Sequence, residues 1–291
     1  LTVDWGTVNP NALSVGTYSF TVTDSNSCTY TNSVTITQPQ IISAIANVTN
    51  VSCNGGNNGS ATLTMSGGIQ PLTVDWGTVN PNALSIGTYS FTITDGNNCT
   101  FTDSISITQP SAIVVSTTTT HVSCNGGNNG TATLTLSGGT GTLIANWGTS
   151  IPNALTAGTH IFSITDSNNC SLTDSISISE PTLLSASYLI ENVSCHGSSD
   201  GSAMATVLGG ILPYNYIWSS GGTTSMEDSL SAGAYILTVT DSNNCSIDDT
   251  VFITQPAVLN ASFSQINVSA CGLANGSIDA TFSGGTQPYT F

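Results

Sequence analysis

Not one lysine or arginine occurs in the 291 residues, against sixteen Asp plus Glu, so the formal charge is −16 at pH 7. Without a fixed cation no phosphate backbone can be neutralised, which excludes nucleic-acid binding. Docking on an anionic membrane surface is disfavoured for the same reason. Lys- and Arg-based ion pairs are excluded too, leaving burial, backbone hydrogen bonds and cross-links to hold the fold. Charged residues of every kind make up only 5%, too few for a charge-rich disordered chain. No apolar run reaches the roughly 18 residues of a membrane-spanning helix. The G-x-S-x-G elbow, the P-loop, H-E-x-x-H and the dinucleotide fingerprint are all missing, and the chain reads as non-enzymatic. Initiator Met and signal peptide are missing as well, so the chain reads as a window on a longer repetitive protein.

What the chain does have is repetition, the first feature that fixes an architecture. LTVDWGTVNPNALSVGTYSF at 1–20 returns as LTVDWGTVNPNALSIGTYSF at 72–91 with one conservative change. Trp5, Trp76, Trp147 and Trp218 are each 71 residues apart. Gln38-Pro39, Gln109-Pro110, Glu180-Pro181 and Gln255-Pro256 mark the same period. Repeats of about 71–76 residues follow: 1–39 is the C-terminal part of one, 40–110, 111–181 and 182–256 are complete, and 257–291 is the N-terminal part of the next. The three histidines, His121, His160 and His196, fall at different places in the repeat and read as incidental surface residues.

Within 40–110, β-rich runs at Ile41–Ala46, Val48–Cys53, Ser60–Ser66, Leu72–Trp76, Thr88–Thr94 and Thr100–Thr108 are separated by Gly/Asn/Pro turns such as NGGNNG, SGGIQP and DGNN. No sustained 3.6-residue period appears. Short strands at this spacing predict an all-β fold, a tandem array of immunoglobulin-like β-sandwich repeats forming an extended rod. Tyr89, Phe91 and Ile93 alternate onto one face, with Ile105 and Ile107 on the partner strand, and Gln-Pro ends that strand because Pro cannot continue a ladder. The four tryptophans are expected in the sandwich cores.

Eight cysteines at regular spacing imply disulfides and an oxidising compartment, the more so because repeats this small bury only about 60% of their unfolded surface. Paired Cys-x-x-Cys spacing, which zinc would need, is missing. One series, Cys28, Cys99, Cys170 and Cys245, ends the turn of the last hairpin; the other, Cys53, Cys124, Cys195 and Cys271, lies in the first. In an immunoglobulin-like topology these turns sit at opposite ends of a domain, some 25–30 Å apart on strands of this length, whereas a disulfide needs Cα atoms within about 7 Å. A pair inside one repeat therefore fails, and Cys53–Cys170 and Cys124–Cys245, which join one repeat to the next, are favoured. The remaining four cysteines are then partnered beyond this window. A different strand order would restore the pair within a repeat.

Asp24, Asp95, Asp166 and Asp241 recur before the second cysteine turn. Such a carboxylate ordinarily accepts turn N–H bonds; clustered Asp, Asn and carbonyl oxygens also suit Ca²⁺, although D-x-D-x-D spacing is missing. No cofactor is required. An acid–hydroxyl–aliphatic pattern surrounds Ser104, Ser175, Ser229 and Thr250, which ordinary strand alternation also produces.

The string SCNGGNNGSATLTMSGGIQPLTVDW, with GTYSFTITDGNNC and ITQP downstream, resembles the SprB repeat family of very large Bacteroidota surface proteins. Leu72 in place of the usual Tyr, and the Pro missing from GTLIANW, are minor departures. The resemblance implies export by type IX secretion, display at the cell surface, and a stalk or fibre role in an adhesin serving attachment or gliding. It also makes Ser104, Ser175, Ser229 and Thr250 resemble the phylum's O-glycosylation sequon. Neighbouring repeats are the expected partners, with identical chains in a filament, or a glycan or surface ligand bound by the repeats themselves, as alternatives.

Overall fold

The computed structural model describes residues 1–290, and its named elements are all β-strands. Residues 1–39 carry β1 (Thr2–Asp4), β2 (Gly16–Thr23) and β3 (Thr29–Ile36). Residues 40–110 carry β4 (Ser43–Thr49), β5 (Ser60–Ser66), β6 (Thr73–Asp75), β7 (Gly87–Thr94) and β8 (Thr100–Ile107). The order recurs in 111–181 as β9 (Val114–Thr120), β10 (Thr131–Ser137), β11 (Ile144–Asn146), β12 (Gly158–Thr165) and β13 (Ser171–Ile178). Residues 182–256 add a strand: β14 (Ser185–Glu191), β15 (Gly201–Leu208), β16 (Asn215–Trp218), β17 (Met226–Leu230), β18 (Gly233–Thr240) and β19 (Ser246–Ile253). Last come β20 (Asn260–Ile266) and β21 (Ser277–Ser283). The chain divides into two compact units, Leu1–Val114 with Leu136–Ile144 and Ile164–Leu172, and Val115–Thr135 with Ala145–Ser163 and everything from Thr173 onward.

The second unit shows the topology most fully. Its sheets run β14-β15-β17 and β16-β18-β19. In the lettering of an immunoglobulin constant domain these are A-B-E and C-F-G, the same two sheets without strand D. Between them lie Val193, Ala203, Trp218, Leu230, Leu237, Val239, Val251 and Ile253, none more than 4% exposed. The repeat is an immunoglobulin-like sandwich. Its inward residues fall at every second position of β18 and β19, as the pleat requires.

In the first unit β4 pairs with β5, from Ser43↔Ser66 to Thr49↔Ser60, and β6-β7-β8 form the second sheet. The core is Ile42, Val51, Ala61, Leu84, Phe91, Ile93, Ile105 and Ile107. Here strand E shrinks to the single bridge Gly59↔Leu84. A Cβ on Gly59 would lie 2.8 Å from Leu84 O and 2.9 Å from Ile107 Cγ2, so glycine alone lets the backbones approach this closely.

Two expectations need correction. Ile41–Ala46 and Val48–Cys53 are not separate strands; one strand, β4, runs from Ser43 to Thr49. Beyond it the chain leaves β5, because Val51 turns into the core and donates its N–H to Thr108 O at 3.0 Å. The tryptophans are not equivalent either. Trp218 is 1% exposed, and its Nε1–H donates to Thr224 O at 3.0 Å. Trp5, Trp76 and Trp147 are only half-buried, resting on Phe20, Phe91 and Phe162 with ring centroids 5.1, 5.1 and 4.8 Å apart. The cause is local: β6 stops at Asp75, one residue short of its tryptophan, whereas β16 runs through Trp218, which strand β17 of the opposite sheet helps to enclose.

Hydroxyl pairs take the place of ion pairs on the outer faces. Thr17 faces Thr35 and Thr21 faces Thr31 at 3.0 Å each, with Ser43–Ser66 at 2.8 Å, Thr92–Thr102 at 3.2 Å and Thr120–Thr131 at 2.7 Å. Such cross-strand contacts each add a few tenths of a kcal/mol, up to about 1.

Candidate functional site: the disulfide junctions

Two turns built by the repeat meet at each junction. The first, between β4 and β5, reads VSCNGGNNG. Ser52 N–H donates to Asn58 Oδ1 at 3.0 Å, and Asn58 Nδ2 donates back to Ser52 Oγ at 2.6 Å. Gly55 N–H donates to Gln109 Oε1 at 2.9 Å and Asn54 Nδ2 to Pro110 O at 3.0 Å. The Gln-Pro that ends the last strand therefore also clamps this turn. Glu180 does the same in the next repeat, its Oε2 accepting the Gly126 N–H at 2.6 Å.

The second turn, between β12 and β13, reads TDSNNC. Asp166 Oδ1 accepts the N–H groups of Asn168 and Cys170 at 2.9 Å each, and Oδ2 accepts that of Thr140 at 2.8 Å. Asn169 completes the turn at φ 62°, a conformation Asn tolerates better than most residues. Burial works hardest against the Asp166 charge, but the N–H groups of Cys170, Thr140 and Asn168 together outweigh it and hold the carboxyl below its ordinary range. Asp241 follows the same balance with Cys245, Ile211 and Asn243. For Asp95 the Ile69 N–H is the largest influence in the same downward direction, with Cys99 next. These carboxylates are 1–5% exposed and both oxygens of each are engaged by backbone donors. That is the turn arrangement; no cluster of three or more metal-ligating side chains occurs among the described residues.

The two turns are joined by a disulfide, Cys53–Cys170, with Cα atoms 5.6 Å apart, and Asn168 Nδ2 donates to Ser52 O at 2.9 Å beside it. Cys124–Cys245 repeats the junction at 5.7 Å, with Asn243 Nδ2 on Ser123 O at 3.0 Å. Each bond links one repeat to the next. Cys28, Cys99, Cys195 and Cys271 are exposed free thiols. Asn168 and Asn243 escaped the sequence reading, although an Asn recurs at this place in all four turns, as Asn26, Asn97, Asn168 and Asn243.

Clefts flank both bonds, about 390 Å³ lined by Cys53, Pro110, Ile113, Asp166 and Cys170, and about 340 Å³ at the second junction. The corresponding groove beside unpaired Cys99 is about 500 Å³, lined by Pro39, Ile42, Asp95, Cys99 and Phe101.

Two of the histidines are not incidental. His160 stands where the other repeats have Tyr18, Tyr89 and Tyr235, whose hydroxyls donate to the carbonyl four residues earlier. His160 Nε2 lies 2.9 Å from Thr156 O and Nδ1 lies 3.1 Å from Ser150 Oγ. A carbonyl can only accept, so Nε2 carries the proton. His121 Nδ1 accepts the Ser179 N–H at 3.1 Å, the part Asn50 and Asn192 play for Thr108 and Thr254. His196 is exposed and follows Cys195 in the first turn. Cys271 is shifted. Ala270 O accepts the Leu273 N–H as Cys53 O accepts that of Gly56, so Cys271 occupies the place of Asn54 rather than that of Cys53.

Ser104, Ser175, Ser229 and Thr250 are all exposed. In three of them the preceding Asp accepts the hydroxyl residue's own N–H, at 2.8 Å for Ser104 and Ser175 and 2.9 Å for Thr250. Ser229 differs, with φ 58° in β17 and its Oγ 3.2 Å from Asp228 Oδ1.

The first turn and the strands around it match a known repeat profile four times, over residues 45–81, 116–142, 187–223 and 264–291. These are SprB repeats. The matched segments contain Cys53, Cys124, Cys195 and Cys271 but end before the partner turns that hold Cys99, Cys170 and Cys245. No curated protein matches the chain significantly. Among solved structures, the N-terminal eight immunoglobulin domains of Down syndrome cell adhesion molecule isoform 1.30.30 align with 93% of the chain and 55% of their own length, at 10% identity and a TM-score of 0.29. The S-layer protein rSbsC(31–844) aligns with 93% and 53% at 12% identity and a TM-score of 0.24. The SprB-repeat chain thus spans about half the length of either, and scores this low do not establish a shared arrangement.

Proposed function

We propose that these SprB repeats form a stalk or fibre segment of a large secreted cell-surface adhesin, a structural and non-catalytic role in which the array extends the protein away from the cell for attachment or gliding. The observation that carries this reading is the pair of bonds Cys53–Cys170 and Cys124–Cys245, each fastening one sandwich to its successor. A cross-link inside a domain serves that domain; a cross-link between successive domains serves the array. Disulfides also fit an oxidising, extracellular setting, and type IX secretion is the export route that the family resemblance suggests. Ser104, Ser175, Ser229 and Thr250 are proposed O-glycosylation positions on the same exposed faces.

Immunogold labelling of intact source cells with antibody to this chain is expected to mark material outside the envelope, at a distance from it. Label confined to the cytoplasm overturns the proposal. Glycan-array binding that saturates at micromolar concentration would instead favour repeats acting as multivalent binding modules.

A further inference from the structure

We propose that Asn54 and Asn125 are latent sites of succinimide formation and deamidation, held closed by the Gln109-Pro110 and Glu180-Pro181 clamps, and that opening a clamp converts its asparagine to aspartate or isoaspartate. This chemistry belongs to the single repeat and is independent of what the array does.

The reactivity lies in the dipeptide Asn-Gly, because glycine carries no side chain to hinder its own nitrogen. Gly55 N bonds to Asn54 Cγ, and the Cγ–Nδ2 bond breaks. The side-chain nitrogen leaves as ammonia, carrying the proton that Gly55 N gives up. Water then opens the five-membered imide at either carbonyl, giving aspartate or isoaspartate. Asn54-Gly55, Asn58-Gly59, Asn125-Gly126 and Asn129-Gly130 all lie in first turns. At Asn54-Gly55 the turn itself asks for the glycine: Gly56 N–H donates to Cys53 O at 3.1 Å, and Gly55 has φ 75°.

The end of the last strand ties down both reacting groups. Asn54 Nδ2 donates to Pro110 O at 3.0 Å, and the attacking nitrogen, Gly55 N, has its proton on Gln109 Oε1 at 2.9 Å. At Asn125-Gly126 the partners are Pro181 O at 3.1 Å and Glu180 Oε2 at 2.6 Å. Asn54, Gly55, Asn125 and Gly126 are exposed, so water and base reach them as soon as the clamp opens.

The other two sites are locked more deeply. Asn58 Oδ1 and Nδ2 are both bound to Ser52, and those of Asn129 to Ser123. Gly59 and Gly130 are buried, and their N–H groups donate to Leu84 O at 2.9 Å and Leu155 O at 3.0 Å. Freeing them means parting the sandwich. A reaction confined to the open form runs in proportion to the open population, so Asn54 and Asn125 react first. Their conversion is permanent, since a carboxylate has no N–H to return to Pro110 O or Pro181 O. The third repeat keeps the clamp without the reactive residue: Gly197 N–H donates to Gln255 Oε1 at 2.9 Å, but His196 stands in the place of Asn54.

The test incubates the 291-residue chain, disulfides intact, in mildly alkaline heavy-oxygen water and maps labelled aspartate and isoaspartate in chymotryptic peptides by mass spectrometry. Asn54 and Asn125 should react at least about tenfold more slowly than in the reduced, urea-unfolded chain, yet ahead of Asn58 and Asn129. Gln109→Ala should speed Asn54 about fivefold, the weight of one ordinary hydrogen bond in an opening equilibrium, and leave Asn125 unchanged. Glu180→Ala should do the reverse. Each molecule thus carries its own control, because a general loosening of the fold would speed both sites together. Equal rates at Asn54 in the folded and unfolded chain overturn the proposal. So does a Gln109→Ala variant that leaves Asn54 unchanged or speeds both sites alike, or Asn58 reacting ahead of Asn54.

Discussion

Pulling the chain from its two ends should reveal a covalent path that runs partly backwards. The bonds Cys53–Cys170 and Cys124–Cys245 interleave, because Cys124 lies inside the first loop and Cys170 inside the second. With every sandwich unfolded, the shortest route from residue 53 to residue 245 crosses one bond to 170, returns along the chain to 124, and crosses the other bond. That route holds 46 residues, whereas the direct backbone holds 192. At about 3.4 Å per extended residue the limits are ~160 Å oxidised and ~650 Å reduced. Single-molecule force spectroscopy on the chain between handles should therefore gain about 500 Å of final contour length when reductant is added. Two double variants give intermediate values that no other topology reproduces. Cys53→Ser/Cys170→Ser leaves a 71-residue route and Cys124→Ser/Cys245→Ser a 75-residue route, about 240 and 255 Å at the same extension. Equal contour lengths with and without reductant would refute the interleaved pairing, and so would a final oxidised length near that of either double variant.

Three further outcomes follow from local geometry. Gly67→Ala should cost about 3 kcal/mol or more in thermal unfolding, since Gly67 has φ 74° and an added Cβ would strike Ile41 O; Gly77→Ala, at φ 65° with nothing within 4 Å, should cost only the conformational strain, about 1–2 kcal/mol. Asp95, Asp166, Asp200 and Asp241 all have carboxyls held below the ordinary 3.8, so the stability they confer is complete above that value and is lost as pH falls through the depressed range. A Tm that rises on acidification below pH 3.8 would contradict this. Tyr188 carries a buried hydroxyl without a hydrogen-bond partner, and burial, then the Asp249 charge, push it up to about 12. Its contribution should hold below pH 10 and vanish as pH climbs through 12, seen as one late phenolate in an ultraviolet titration that Tyr188→Phe removes.

Much of the fold was legible because the repeat states it several times. The spacing of Trp5, Trp76, Trp147 and Trp218 set the period, and the alternation Phe91, Ile93 against Ile105, Ile107 set the sheet that faces the core. Strand length against disulfide reach pointed to Cys53–Cys170 and Cys124–Cys245. Local pattern carries no such information about β17. Its counterpart in the other repeats is a bridge of one residue pair, so the burial of Trp218 and the partial exposure of Trp76 depend on a partner that each sequence window lacks. The roles of Asn168, Gln109 and His160 were hidden for a related reason. Asn168 and Gln109 each act through one hydrogen bond to the backbone of another turn, and His160 through one to Thr156 O and one to Ser150 Oγ; none of these bonds leaves a hydrophobic periodicity to read. The Cys271 displacement was there to be read, since VSACGLANGS and VSCNGGNNGS align without a gap and set Ala270 against Cys53.

The hydroxyl pairs along the outer strands give the material an unusual indifference to its medium. A scaffold zipped by opposite charges loosens in brine, because mobile ions shield the attraction. Threonine facing threonine has no charge to shield, and dissolved salt can only quiet the mutual repulsion of sixteen scattered carboxylates. Sea water should suit such a protein at least as well as fresh.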